Sequence, residues 1–267
     1  MLSKLSIYFL FPAFIVYYLS SIEINLEEIG SITIMAIGSA ILLLLIGIVL
    51  GKALKLPNKI RTSFILCMFY GNVGALGFTI IGFAYGDLGF QKATLFYAVS
   101  QFFVNPIAIF IASRGSASIK ESFLNIVKNP IIYALFIGLL ISVSGISLPQ
   151  PINLSISLIS QAAIPIQLVI LGFQLARVNL KKQLGIVFLA SSVRLLAAPA
   201  IGFALVLVSG IKGLAMQASM MQISMPTGLF VTVYATEFGS DAEFASMVGM
   251  VTTIGSIITL SILLSIL

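Results

Sequence analysis

Apolar residues run along this chain in blocks too long and too uniform to be the buried faces of soluble helices. Nine such segments stand out: Leu5–Ile22, Ser31–Leu50, Thr62–Ala84, Ala93–Ala112, Pro130–Gly145, Ser155–Ala176, Leu184–Val208, Gly213–Thr236 and Phe244–Leu267. Most reach roughly 20 residues, the length that carries an α-helix across a bilayer. Two of them are interrupted near their middles. Gly71-Asn72-Val73-Gly74-Ala75-Leu76-Gly77 breaks the third, and Ser224-Met225-Pro226-Thr227-Gly228 breaks the eighth. Glycine and proline weaken a helix interior. In lipid, backbone leaves the helix only where protein or a water-lined cavity satisfies its polar groups. A matched pair of interrupted spans therefore predicts a binding site where they cross.

The segments also repeat. Pro12 and Pro165 lie mid-span in the first and sixth segments, 153 positions apart, and Gly86 and Gly239 share that offset. Residues 71–77 fall on Ser224–Phe230 at the same spacing. Paired positions are separated by five spans, an odd number, so the two units are expected to be inverted in the membrane. The first unit has four spans and the second five. A five-plus-five ancestor without its first helix fits that count. Pro12 and Pro165 are read as hinge or scaffold kinks, and Pro106, Pro130 and Pro199 as simple kinks.

Composition agrees with the pattern and narrows the chemistry. The chain of 267 residues is 60% hydrophobic and 8% charged, where soluble domains carry roughly 25% charged residues. It has no His and one Cys, Cys67, inside an apolar segment. That leaves no His-based acid–base catalysis, no His metal site, no disulfide within the chain and no Cys-ligated zinc. No enzyme activity, cofactor or metal is expected. Lys4 precedes the first segment as in a signal peptide, but Pro12, the aromatic residues and the lack of an Ala-x-Ala site favour a retained span.

The net charge of +6 is a topology signal rather than a nucleic-acid surface. Lys4, Lys52, Lys55, Lys59, Arg61, Arg114, Lys120, Lys128, Arg177, Lys181 and Lys182 fall on one side, while Lys92 and Lys212 fall on the other beside the acidic Glu23, Glu27 and Glu28. By the positive-inside rule the first set is cytoplasmic, the N-terminus is inside and the C-terminus outside.

Candidate site residues cluster at the breaks. Asn72 lies close to the midplane, where its amide reads either as an interhelical hydrogen bond or as a ligand-orienting group. Pro226 frees the carbonyls before it, and Thr227-Gly228 begin a new half-helix, as Val73-Gly74 do in the third span. Helix N-termini bind carboxylates without a side-chain cation. Arg194 is the one basic residue deep in a span, either a functional charge or a structural arginine paired with carbonyls. No carboxylate lies at its depth. Gln101, Asn105, Gln167, Gln174 and Gln222 are candidates for a polar path. Gly47-x-x-x-Gly51 is a small-residue packing motif.

Pro226-Thr227-Gly228-Leu229-Phe230 through Tyr234-Ala235-Thr236-Glu237-Phe238-Gly239 resembles the ninth helix of the auxin efflux carrier family. Gly71–Gly77 resembles its fourth-helix motif. Lys128-Asn129-Pro130-Ile131-Ile132, Pro165 with Leu171-Gly172, and Arg194-Leu195-Leu196 with Pro199 resemble helices six, seven and eight. The family's fourth-helix motif usually ends in Gly-Pro or Gly-x-Pro, whereas Phe78 follows Gly77 here.

This resemblance implies an all-α polytopic fold of ten helices, here lacking the first, with two crossed broken helices as in bile acid:sodium symporters. It implies a scaffold of residues 5–22, 130–145 and 155–176. The transport domain would comprise 31–50, 62–84, 93–112, 184–208, 213–236 and 244–267. The chain then divides into a first repeat (1–112), a cytoplasmic linker (113–128) and a second repeat (129–267).

The expected function is a secondary carrier for small organic anions such as malate, malonate or auxin-like carboxylates, working as an elevator in a cell membrane. It would act as a homodimer, with proton or sodium coupling left open. Its substrate would be bound by Gly71, Asn72, Val73, Gly74, Pro226, Thr227 and Gly228, with Arg194 supplying positive potential. The alternatives are a sodium-coupled symporter of the bile acid type, or a channel-like or non-transporting homologue.

Overall fold

The computed structural model describes residues 2–20, 26–113, 124, 127–146, 148–176, 178 and 183–267. Most of the expected linker 113–128 lies outside these residues, as do Glu23, Arg114, Lys120, Arg177, Lys181 and Lys182. Among the described residues the chain is helical throughout, with one isolated bridge between two residues.

Helix α1 (Leu2–Leu5) passes through a π turn, Ser6–Leu10, into α2 (Phe11–Ser20). Then come α3 (Leu26–Ala53), α4 (Asn58–Phe69) and α5 (Ala75–Val99). A second π turn, Ser100–Val104, leads into α6 (Asn105–Ser113). The remainder comprises α7 (Pro130–Ser144), α8 (Gln150–Gln161), α9 (Ala163–Ala176), α10 (Leu184–Ser209), α11 (Gly213–Ile223), α12 (Leu229–Glu237) and α13 (Ala242–Ile266).

Among the described residues, five helical stretches are individually long and apolar enough to cross a membrane: Glu27–Ala53, Ala75–Ser113, Gln150–Gln174, Leu184–Ser209 and Ala242–Ile266. Ser6–Ser20 and Pro130–Ser144 are shorter apolar helices. Nine predicted segments give fewer long helices for a physical reason. The third and eighth are each split into halves, and the second half of the third continues into the fourth. That continuation turns at Gly86 alone (φ 62°, ψ −158°), a conformation open to glycine and costly for other residues. Residues 85–92, between the third and fourth apolar segments, stay helical on either side of it.

Proline explains most of the remaining irregularity. Pro12 and Pro106 each follow a π turn closed by an i+5 hydrogen bond, from Phe11 N to Ser6 O and from Asn105 N to Ser100 O. Proline lacks the amide for the ordinary bond and crowds the carbonyl four residues back, and a widened turn accommodates both defects. Pro165 stands just beyond the bend at Ala162 that separates α8 from α9. Pro130 does not kink a helix. It opens α7 behind an Asn129 cap whose Oδ1 accepts from Ile131 N at 3.1 Å, a position where the missing amide costs nothing.

Helix α2 packs against α7 and α8, while α3, α4, α5, α10, α11, α12 and α13 pack among themselves. The glycine motif of α3 is used in the second group: a Cβ on Gly47 would stand 3.2 Å from Ile65 Cα on α4. An aromatic cluster joins the groups. The Phe14 ring lies 4.6 Å from Tyr18, 4.8 Å from Phe78 and 5.8 Å from Phe11 between centroids. Phe78, directly after Gly77, is fully buried in that cluster. Leu207, Val208, Ile257 and Leu158 are largely exposed, an apolar surface suited to lipid.

Replacing Phe14 by Ala removes this ring from between helices and is expected to cost about 3–5 kcal/mol. Thermal unfolding in detergent should report a clearly lowered Tm. Phe83→Ala, at a side chain 89% exposed, should leave Tm nearly unchanged in the same assay.

Candidate functional site

The two interrupted spans meet at their breaks. Helix α4 stops at Phe69, Tyr70 turns extended (φ −94°, ψ 98°), and α5 starts at Ala75. Helix α11 stops at Ile223 and α12 starts at Leu229 behind Gly228 (φ −73°, ψ 146°). Between them Gly71 and Thr227 form an antiparallel bridge. Asn72 N donates to Pro226 O at 2.8 Å, and Gly228 N donates to Tyr70 O at 2.8 Å. Each break thus supplies the partners that the other lacks, which bare lipid could not do. Pro226 offers only a carbonyl, and that carbonyl is the group used.

Side chains complete the joint. Thr227 Oγ1 donates to Cys67 O at 3.0 Å, and Thr227 N donates to Thr252 Oγ1 of α13 at 3.2 Å. Arg194 of α10 is 2% exposed. Its Nη1 donates to Met68 O at 2.7 Å, its Nη2 to Ile223 O at 3.1 Å and Met225 O at 2.8 Å, and its Nε to Met225 O at 3.2 Å. The guanidinium therefore sits on the carbonyl ends of α4 and α11, the partly negative ends of both first half-helices.

The glycines serve close approach. None from Gly71 to Gly77 has positive φ. A Cβ on Gly71 would stand 2.5 Å from Arg194 Nη2, and one on Gly77 would stand 2.3 Å from Gln222 Oε1. One on Gly228 would meet Tyr70 Cδ1 at 2.8 Å and Gly71 O at 2.9 Å. The sequence suggests glycines that loosen a helix; the structure uses them to let two chains and a guanidinium touch.

The opposite face of the crossing carries the amide ends of the second half-helices. Among the described residues the amides of Val73, Gly74 and Ala75 make no hydrogen bond, nor do those of Leu229 and Phe230. They border a cavity of about 10 Å³ lined by Asn72, Gln101, Gln167, Tyr97, Phe11 and Phe230 among others. Asn72 is 4% exposed, and its Nδ2 is buried with no partner among the described residues. Gln101 Oε1, Gln222 Oε1 and Asn105 Nδ2 share that condition. Gln167 is taken, donating to Ser6 Oγ at 3.0 Å.

Seven of the expected residues, Gly71, Asn72, Val73, Gly74, Pro226, Thr227 and Gly228, thus belong to the crossing itself. Arg194 stands behind it, lining a separate space of about 30 Å³ with Gln101, Gln222 and Ser39. Tyr70 and Thr252 had no signal as sequence, and Tyr234 stood only within the motif Tyr234–Gly239, without a role. The Tyr70 hydroxyl donates to Asn105 Oδ1 at 3.2 Å, and the Tyr234 hydroxyl donates to the same oxygen. A larger cavity of about 540 Å³ lies alongside, lined by Lys4, Tyr8, Lys128, Asn129, Gln174, Phe230, Tyr234 and Glu237 among others. Phe230 is common to it and to the small cavity at the crossing.

Crossed half-helices around buried, unsatisfied polar groups in an apolar helical protein are the architecture of a membrane transporter. Residues 1–264 match the family described as membrane transport protein, and the chain belongs to that family. The likeness to auxin efflux carriers read from its motifs agrees. It is similar to an uncharacterized transporter of Methanocaldococcus jannaschii, 25% identical over 218 residues that cover 80% of this chain and 71% of the other. An uncharacterized transporter of Methanothermobacter thermautotrophicus is 25% identical over 194 residues, covering 71% of this chain and 62% of its own length. The chain is a multi-pass membrane protein of transport.

Gly71→Ala and Gly228→Ala should each lower stability by about 1–3 kcal/mol through overpacking. Gly172→Ala, in helix α9 with nothing within 4 Å of its Cβ, should be neutral or stabilising by up to about 1 kcal/mol. Thermal melts of the three variants side by side check both directions.

Proposed function

We propose that this protein is a secondary carrier for small organic carboxylates, and that the carboxylate binds on the amide face of the crossing. The observation that carries this reading is the unpaired set of Val73, Gly74, Ala75, Leu229 and Phe230 amides, which shares one cavity with Asn72. Two half-helix N-termini present partial positive charge there. Asn72 Nδ2, buried and unpartnered, is the donor that orients the anion. Pro226, Thr227 and Gly228 hold the backbone in place, and Arg194 adds a positive potential from behind. A cavity of about 10 Å³ has room for about one water, so a carboxylate enters as the walls separate.

The walls belong to different packing groups. Phe11 lies on α2, with α7 and α8, and Phe230 lies on α12, with the rest. An elevator in which α2, α7, α8 and α9 form the scaffold and α3–α6 with α10–α13 carry the crossing would separate them. The inverted repeat is part of this proposal. It is supported by the positive φ shared by Gly86 and Gly239 and by helices that stop at Phe69 and Ile223 and resume at Ala75 and Leu229. By the basic residues, the 540 Å³ cavity with Lys4 and Lys128 opens to the cytoplasm, the C-terminus is outside, and homodimers follow the family pattern.

Uptake of radiolabelled malate, malonate and an indole acid into proteoliposomes tests the reading. Saturable uptake with counter-flow is expected, which a channel would not give. Asn72→Ala should cut uptake at least about tenfold, the loss of one hydrogen bond to a charged group, and Pro226→Ala should also cut it. Full transport by both variants would overturn the site.

Lys128→Gln should raise KM about threefold at low ionic strength and have little effect in high salt, because exposed charges steer anions only within a Debye length. Initial rates at two salt concentrations measure this.

A further inference from the structure

The carbonyl ends of the two broken helices are already occupied. In carriers with interrupted spans, such ends and the unwound carbonyls beside them are where a coupling cation collects its ligands. Here Met68 O near the end of α4, Ile223 O at the end of α11 and Met225 O in the second break all accept from the Arg194 guanidinium, at 2.7–3.2 Å. A sodium ion at this point would have to displace a charge of its own sign. It would also find no acid to join it, since all eight Asp and Glu residues lie outside the nine apolar segments. The backbone is shaped around the guanidinium, because a Cβ at Gly71 would stand 2.5 Å from Nη2.

We propose that Arg194 is a tethered counter-cation standing in the position of a mobile coupling ion. The carrier holds its own positive charge at the crossing and needs neither sodium nor potassium to bind its anion or to hold the crossing together. This rests on the crossing being the anion site. It assigns Arg194 a positioning role through the backbone, since its donors face carbonyls and it does not line the cavity that holds Asn72. If the crossing moves as a unit, a bound monocarboxylate makes the moving charge at this point neutral, and the empty return carries one positive charge.

The test needs no substrate. The purified full chain is melted in detergent in choline chloride, sodium chloride and potassium chloride at equal ionic strength. The wild type should give one Tm in all three salts, to within about 1 °C. Arg194→Ala should melt lower and recover by about 3 °C or more when sodium, potassium or millimolar guanidinium fills the vacated carbonyls, since a ligand bound only by the folded state raises Tm. A wild-type Tm raised specifically by sodium overturns the proposal. So does an Arg194→Ala protein indifferent to all three cations. Should Arg194→Ala not fold, Arg194→Lys serves: an ammonium keeps the charge with three donors, and its Tm should be equally indifferent to sodium, whereas a sodium-dependent rise overturns the proposal. Absent carboxylate uptake with these melts as expected would strike the substrate reading alone, and a sodium response with intact uptake would strike only the tethered cation.

Discussion

The structure depends on a debt that two stretches of backbone settle between themselves. A helix broken inside lipid exposes amides and carbonyls that cost several kcal/mol each if left bare. Neither Tyr70–Gly74 nor Ser224–Gly228 could persist alone. The two hydrogen bonds of the Gly71–Thr227 bridge make the breaks stable only as a pair, so α4–α5 and α11–α12 must cross at one point and at one depth. Thr227, reaching Cys67 O and Thr252 Oγ1, then fixes the crossing to α13. Glycine at 228 follows from the same contact, because a Cβ there would press on Gly71 O, whereas glycine at 71 makes room for the Arg194 guanidinium.

Charge is arranged around that crossing with similar economy. A helix end carries roughly half an elementary charge. Two carbonyl ends meet one guanidinium, so about one negative charge faces one positive charge. This is how a buried arginine persists where desolvation costs several kcal/mol. On the other face two amide ends remain, together about one positive charge, the complement of a carboxylate. The crossing is a dipolar plate, with its negative face closed by Arg194 and its positive face turned to a cavity.

Much of this was legible in the sequence, and what was not has a common cause. Gly71–Gly77 and Ser224–Gly228 announced the breaks because glycine and proline are conspicuous in an apolar run, and Gly86 announced a turn. Arg194 announced itself as a charge at depth, but its partners are backbone carbonyls, which any residue type provides. The Gly71–Thr227 bridge joins positions 156 apart in sequence and depends on φ and ψ rather than on side chains. The π turns before Pro12 and Pro106 were hidden likewise: proline marks strain, while the way the helix relieves it is decided by packing. Tyr70 and Tyr234 look like ordinary apolar aromatics until Asn105 brings their hydroxyls together.

Phe230 lines both the 540 Å³ cavity and the small cavity at the crossing, with its ring edge-on to Phe11 at 6.2 Å and stacked on Tyr234 at 6.1 Å. In the proposed carrier this ring would be the thin barrier between the larger cavity and the amide ends. The packed helices joined by the Phe14 cluster would be the thick one. In a carrier built this way the two barriers differ in kind. The thin one yields to a rotamer change of a single side chain, on the timescale of nanoseconds for an unhindered ring. The thick one yields only when packed elements slide, on microseconds to milliseconds. Exchange with the larger cavity would then run many times for each passage across the membrane, keeping the crossing in equilibrium with one compartment while it samples the other rarely.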